Sequence, residues 1–161
     1  MAANCDLLGL GDTMYKTIVV GTDGSQRAEI AVHQAIVLAK MSSATLHIVH
    51  AGGPVSSESL AATMVVEANM LYDQGDQICA QALAEARREG VSAEMHSPVG
   101  DPADALIKIA ELEDADLVVV GSQGMTGLKR FVLGSVPNRV SHRCPCSLLI
   151  VDTNSASARP D

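Results

Sequence analysis

The sequence predicts an α/β fold: an open five-stranded parallel sheet with helices on both faces. Three observations carry this. Five short apolar runs rich in β-branched residues alternate with stretches of helical periodicity. Two of them, TIVVG at 17–21 and LVVV at 117–120, are apolar on both faces, as central parallel strands covered by helices should be. At 161 residues the chain is one domain of ordinary size, long enough to bury a core without staples.

In order, the first strand spans 17–21 and is followed by Ser25, a good N-cap. Ala28, Ala31, Val32, Ala35, Ile36 and Ala39 then recur at helical spacing and form one buried face. A second strand spans 45–49. Leu71, Ile78, Cys79, Ala82, Leu83 and Ala86 mark a second helix, stopped by Gly90 after Arg87 and Arg88; residues 54–68 form either a loop or the helix's earlier turns. The third strand is expected at 93–97. Asp101-Pro102 starts a third helix that buries Ala103, Leu106, Ile107 and Ala110. After the fourth strand, a helix is expected to begin at Ser135 as N-cap and to stop before Pro145, with a last strand at 147–151. Residues 1–13 read as a loose extension, with Met14 a candidate for the natural start, 14–152 as the domain and 153–161 as a frayed tail.

Composition narrows the function. Net charge is −8 and aromatics are 2% of residues, with no Trp, so nucleic acid is repelled and base-stacking platforms are lacking. No run reaches the ~20 apolar residues of a membrane span. Four cysteines without a paired framework, and no basic start followed by a long apolar stretch, point to a cytoplasmic protein. The charge is uneven. Residues 117–151 contain no Asp or Glu but include Lys129, Arg130, Arg139 and Arg143, an expected anion-attracting island.

Open α/β sheets bind ligands beyond the carboxyl ends of their strands. There the chain places Thr22 and Asp23, then Val49, His50 and Ala51, and after the fourth strand a long glycine-spaced loop from Gly121 to Ser135. A helix starting at the end of that loop offers backbone N–H groups to a phosphate. Neither a P-loop nor a dinucleotide fingerprint is present. Asp23 has a blander reading, as a cap of the first helix. His47 and His50 fall on opposite faces of their strand, and His142, Cys144 and Cys146 lack a second ligand pair, so no metal centre is expected.

Gly121, Gly124, Gly134 and Ser135 match the pattern G-x2-G-x9-G-[ST] at full spacing, and Asp23 in GTDGS closes the first strand. In these residues the sequence resembles the nucleotide-binding branch of the universal stress protein family, over about 14–152. The resemblance implies a Rossmann-like fold of the adenine nucleotide alpha hydrolase type. It implies that Asp23 meets the ribose or base, and that Thr22, Val49 and Ala51 line the base pocket, with His50 close enough to touch the ligand. Gly121, Ser122 and Gly124 would approach the ribose and α-phosphate, and Gly134, Ser135 and Val136 the outer phosphates. Lys129 and Arg130 are the expected counter-charges. Mg2+ or Mn2+, where it takes part, would ride on the phosphates beside Ser135.

The implied ligand is ATP or another adenine nucleotide such as ADP or AMP. One departure bears on this: Pro137 follows Gly134-Ser135-Val136 where many ATP-binding members carry a hydroxyl residue, and GSVPNRV looks like members that favour cyclic AMP. The loop supplies neither acid nor histidine for hydrolysis, so binding without turnover is expected over a slow ATPase. A dimeric interaction module independent of nucleotide is the third reading. The apolar last strand would be a bare sheet edge in a monomer, and pairing with its copy gives a homodimer, as is common in this family.

Overall fold

A computed structural model describes residues 14–52, 61–123 and 133–153. The elements run β1 (Thr17–Gly21), α1 (Gln26–Ser42), β2 (Thr45–Val49), α2 (Ala61–Arg88), β3 (Ala93–His96), α3 (Pro102–Leu112), β4 (Leu117–Gly121), α4 (Ser135–Arg143) and β5 (Ser147–Val151). All five strands are parallel, in the order β3-β2-β1-β4-β5. The sheet therefore grows outward in one direction through β3, then restarts on the other side of β1.

That restart puts α1 and α2 on one face and α3 and α4 on the other, because parallel crossovers keep one hand. Alternate residues of the central strands divide accordingly. Ile18 and Val20 of β1, with Leu117 and Val119 of β4, pack under α1 and α2; Val19, Val118 and Val120 pack under α3 and α4. This two-sided burial is why both strands read as continuous apolar runs. Small residues on α1 (Ala31, Ala35, Ala39) let its backbone come close to a sheet of branched aliphatics.

Local signals act as the sequence indicates. Ser25 caps α1, its Oγ accepting from Ala28 N at 3.1 Å. Gly90 takes φ +77° just after α2, a conformation that favours glycine. Helix α2 already runs from Ala61, so residues 61–68 are helical; 53–60, 1–13 and 154–161 lie outside the described residues. Thr153 departs from the tail reading: it is buried, and its backbone N donates to Ser122 Oγ at 3.1 Å.

Helices α3 and α4 are joined by charge. Asp101 caps α3, accepting from Ala103 N and Asp104 N at 3.0 and 3.1 Å, and its other oxygen pairs with Arg139. Arg139 and Arg143 also reach Asp104 Oδ1 at 3.2 and 2.6 Å. Partial burial opposes the charge on Asp101, but the Asp104 N–H and the Arg139 guanidinium outweigh it and hold the carboxyl below its usual range. The contribution is thus present above about pH 4 and is lost as pH falls through the lowered folded value. Asp101→Ala should cost about 1–2 kcal/mol by urea denaturation at neutral pH, chiefly through the lost cap; an unchanged midpoint would contradict this.

Candidate functional site

The sheet's change of direction falls between β1 and β4. Their following helices leave toward opposite faces, so the loops part and a crevice opens at the strand ends. A cavity of about 250 Å3 lies there. It is near the ~300 Å3 lower end of small-molecule sites, a size for one small ligand.

Its wall begins with Gly21, Thr22 and Asp23 at the end of β1. Thr22 N donates to Val49 O at 2.9 Å, which ties this turn to the end of β2. Asp23 Oδ1 accepts from Ser25 N at 3.0 Å, fixing the turn, while the cap of α1 is Ser25 itself. Gly24 between them has φ +75°, and a Cβ there would come within 3.0 Å of Ile78, so the position suits only glycine. Val49 and Ala51 continue the wall with aliphatic surface.

The opposite wall comes from Gly121, Gln123, Gly134, Ser135 and Val136. Ser122 holds it in place: its N donates to Val151 O at 2.8 Å, and its carbonyl accepts from Gly134 N at 2.9 Å. The two ends of the glycine-spaced loop are thereby clamped side by side, with the start of α4 at the end of β4.

This clamp corrects the expected cap. Gly134, not Ser135, is the N-cap, with φ −61°, ψ 163° and no side-chain cap bond; Ser135 is the first helical residue. Drawing Gly134 N to Ser122 leaves that residue extended and starts the helix one position later. The N–H groups of Ser135 and Val136 have no partner within the helix, and Pro137, also on the cavity wall, offers none.

The basic island is corrected as well. Arg139 and Arg143 face α3, where Asp101 and Asp104 pair with them, so they are not available to a ligand in the crevice. The expected counter-charges reduce to Lys129 and Arg130, which with Gly124 lie outside the described residues.

Of the remaining expected residues, His50 and Ser122 stand behind the cavity wall. His50 Nδ1 lies 2.9 Å from the Thr22 carbonyl, so the ring supports the turn that presents Thr22. Sequence reasoning passed over Gln123, which is buried and lines the cavity, and Pro102 and Leu106 of α3. Gln123 is an unassigned position inside the glycine pattern. Leu106 was visible as a buried helix position, but nothing local shows that α3 crosses over β1, where a Cβ on Gly21 would meet Leu106 Cδ1 at 2.9 Å.

The sequence model of the universal stress protein family matches residues 14–152. Universal stress protein YxiE of Bacillus subtilis is 34% identical over 147 residues, spanning 86% of this chain and 99% of that protein. Among solved structures, a universal stress protein in complex with cAMP shares 37% identity over 87% of this chain and 99% of its own, with a TM-score of 0.67. The universal stress protein from Archaeoglobus fulgidus in complex with dAMP shares 26% identity over 86% and 98%, with a TM-score of 0.62.

Proposed function

Since the chain belongs to the universal stress protein family, we propose that it is a stress-response regulatory protein that binds an adenine nucleotide in the β1/β4 crevice and holds it without efficient turnover. The observation that carries this is the pairing, in one cavity, of the Asp23 turn with the start of α4. A carboxylate accepts from ribose hydroxyls or an adenine amino group, Val49 and Ala51 give a flat base aliphatic contact, and the first-turn amides of α4 receive phosphate. The solved relatives bound to cAMP and to dAMP support an adenine ligand.

Pro137 bears on which nucleotide. It lines the cavity in the first turn of α4 and withholds one of three amides. Fewer donors suit a single phosphate, so cyclic AMP is favoured; ATP, with Mg2+ or Mn2+ on its phosphates and Ser135 supplying a hydroxyl, is the second reading. No carboxylate or histidine among the described residues stands at the phosphate end of the cavity to position water, which favours retention over hydrolysis. Pro137→Ala restores an amide worth about 0.5–1.5 kcal/mol. It should raise ATP affinity about 2- to 12-fold relative to cyclic AMP in calorimetry; an unchanged ratio would remove Pro137 as the discriminator.

Denaturing freshly purified protein and identifying the released nucleotide by mass spectrometry tests the reading. Cyclic AMP, AMP or ATP supports it. A protein that releases nothing and binds none of them at millimolar concentration supports the interaction module instead.

We also propose a cytoplasmic homodimer paired through β5. This is an edge strand whose Leu148, Leu149 and Ile150 are only half-buried, and sheet edges of this kind favour a partner. Sedimentation at micromolar concentration should give the dimer mass; a monomer would contradict it.

A further inference from the structure

On the face of the sheet covered by α3, the fold assembles a cluster whose members are far apart in sequence. His47 in β2 is 4% exposed, and across the strand pair lies His96, the last residue of β3. The register pairs His96 with Val49 and His47 with Glu94, which sets the two histidines diagonally on one face. His47 Nδ1 and His96 Nε2 are 3.0 Å apart. Glu113, the C-cap of α3, completes the group, and one ligand atom from each residue lies within 4.8 Å of the others. None of the three lines the nucleotide cavity.

We propose that His47, His96 and Glu113 form a binding site for a divalent first-row transition metal of the zinc type. Two imidazole nitrogens and one carboxylate oxygen make a borderline donor set that suits Zn2+ over Mg2+ or Ca2+. Two nitrogens each ~2.0–2.1 Å from one ion stand about 3 Å apart when the angle at the metal is near 90°, and this spacing is already present. The ring centroids are 5.3 Å apart and the rings are 25° from parallel, and one ring donates its N–H to the facing nitrogen of the other, the tautomers deciding which. The ion replaces that hydrogen bond and sits about 1.5 Å to one side of the line between the nitrogens, so that each stands ~2.0–2.1 Å from it. Each ring turns by roughly 45° to aim its nitrogen at the ion, stays neutral and carries its proton on the other nitrogen. The carboxylate of Glu113, half-buried on a helix end, closes the third position. The carboxyl end of α3 adds partial negative charge beside the cation. Three protein ligands leave a fourth position for water, the arrangement of an open rather than a sealed zinc site.

The test uses the full-length chain carrying Cys144→Ser and Cys146→Ser, which removes the half-buried thiol pair whose sulfurs lie 4.0 Å apart as a competing site. Zn2+ is titrated in by calorimetry and Co2+ by visible absorption. One equivalent should bind, with ligand-field bands of a nitrogen and oxygen site and no thiolate charge-transfer band. Glu113→Gln should weaken Zn2+ at least about tenfold and His96→Gln by about 100-fold or more, since even indirect ligand support is worth 10–100-fold. Both positions are partly exposed, so circular dichroism can confirm that the variants fold while the buried His47 is left intact. No saturable binding in the Cys144→Ser/Cys146→Ser background, a thiolate band in the Co2+ spectrum, or affinity unchanged in both variants would overturn the proposal.

Discussion

Replacing Gly134 by Asp should weaken adenine-nucleotide binding at least about 100-fold while the protein stays folded. Gly134 is the N-cap of α4, with φ −61° and ψ 163°, backbone that any residue adopts. An Asp N-cap would accept from Val136 N, Pro137 having no N–H, and would set its negative charge beside Ser135 N, so it contests both amides that the account assigns to phosphate. The variant therefore carries its own competing anion. Bonds to charged groups are worth about 1.5–3 kcal/mol each, and losing two of them accounts for the stated loss. The added Cβ comes 3.3 Å from the Ser122 carbonyl, a tight contact that offsets part of the new cap, so the urea midpoint should move little. Gly134→Ala brings the same Cβ without the charge and should keep most of the affinity. Equal affinities for wild type and the Asp variant in calorimetry would remove phosphate from the start of α4.

The largest stability effect is expected inside the sheet. Ile18 lies on the central strand β1, is fully buried, and packs on the face covered by α1 and α2. Ile18→Ala removes three carbons from a core in which β1 is flanked by β2 and β4, where neither neighbour can move in without breaking register. A loss of about 2–5 kcal/mol follows, a large share of the ~5–15 kcal/mol typical of a domain. With no Trp in the chain, urea unfolding followed by far-ultraviolet circular dichroism is the suitable measurement. A shift below about 1 kcal/mol would show that the core relaxes around the site more readily than close packing allows. The exposed Met14 and Leu112 should tolerate alanine with little change.

The fold was legible because its signals are local. Strand runs such as LVVVG show burial on both faces directly, Ser25 and Asp101 mark helix starts, and Gly90 marks a stop. Parts of the candidate site were legible for the same reason: each strand end carries its own cavity-lining residues, so Asp23, Val49 and Gly121 follow from knowing where a strand stops. What stayed hidden depends on contacts between distant segments. The cap of α4 moved to Gly134 because Ser122, twelve residues earlier, binds its amide. Arg139 and Arg143 read as free cations until α3 brought Asp101 and Asp104 to them. His47 and His96 belong to different strands, and only the β2/β3 register makes them neighbours.

The central claim is that the crevice between β1 and β4 is an adenine-nucleotide site. Isothermal titration of the nucleotide-free chain with cyclic AMP, and with ATP in parallel, tests it most directly when repeated on Asp23→Ala and Gly134→Asp. The account predicts one saturable site per chain in the wild type, tighter for cyclic AMP than for ATP, weakened in the first variant and lost in the second. Absence of saturable heat with either nucleotide at millimolar concentration, or binding that both variants leave untouched, would contradict it.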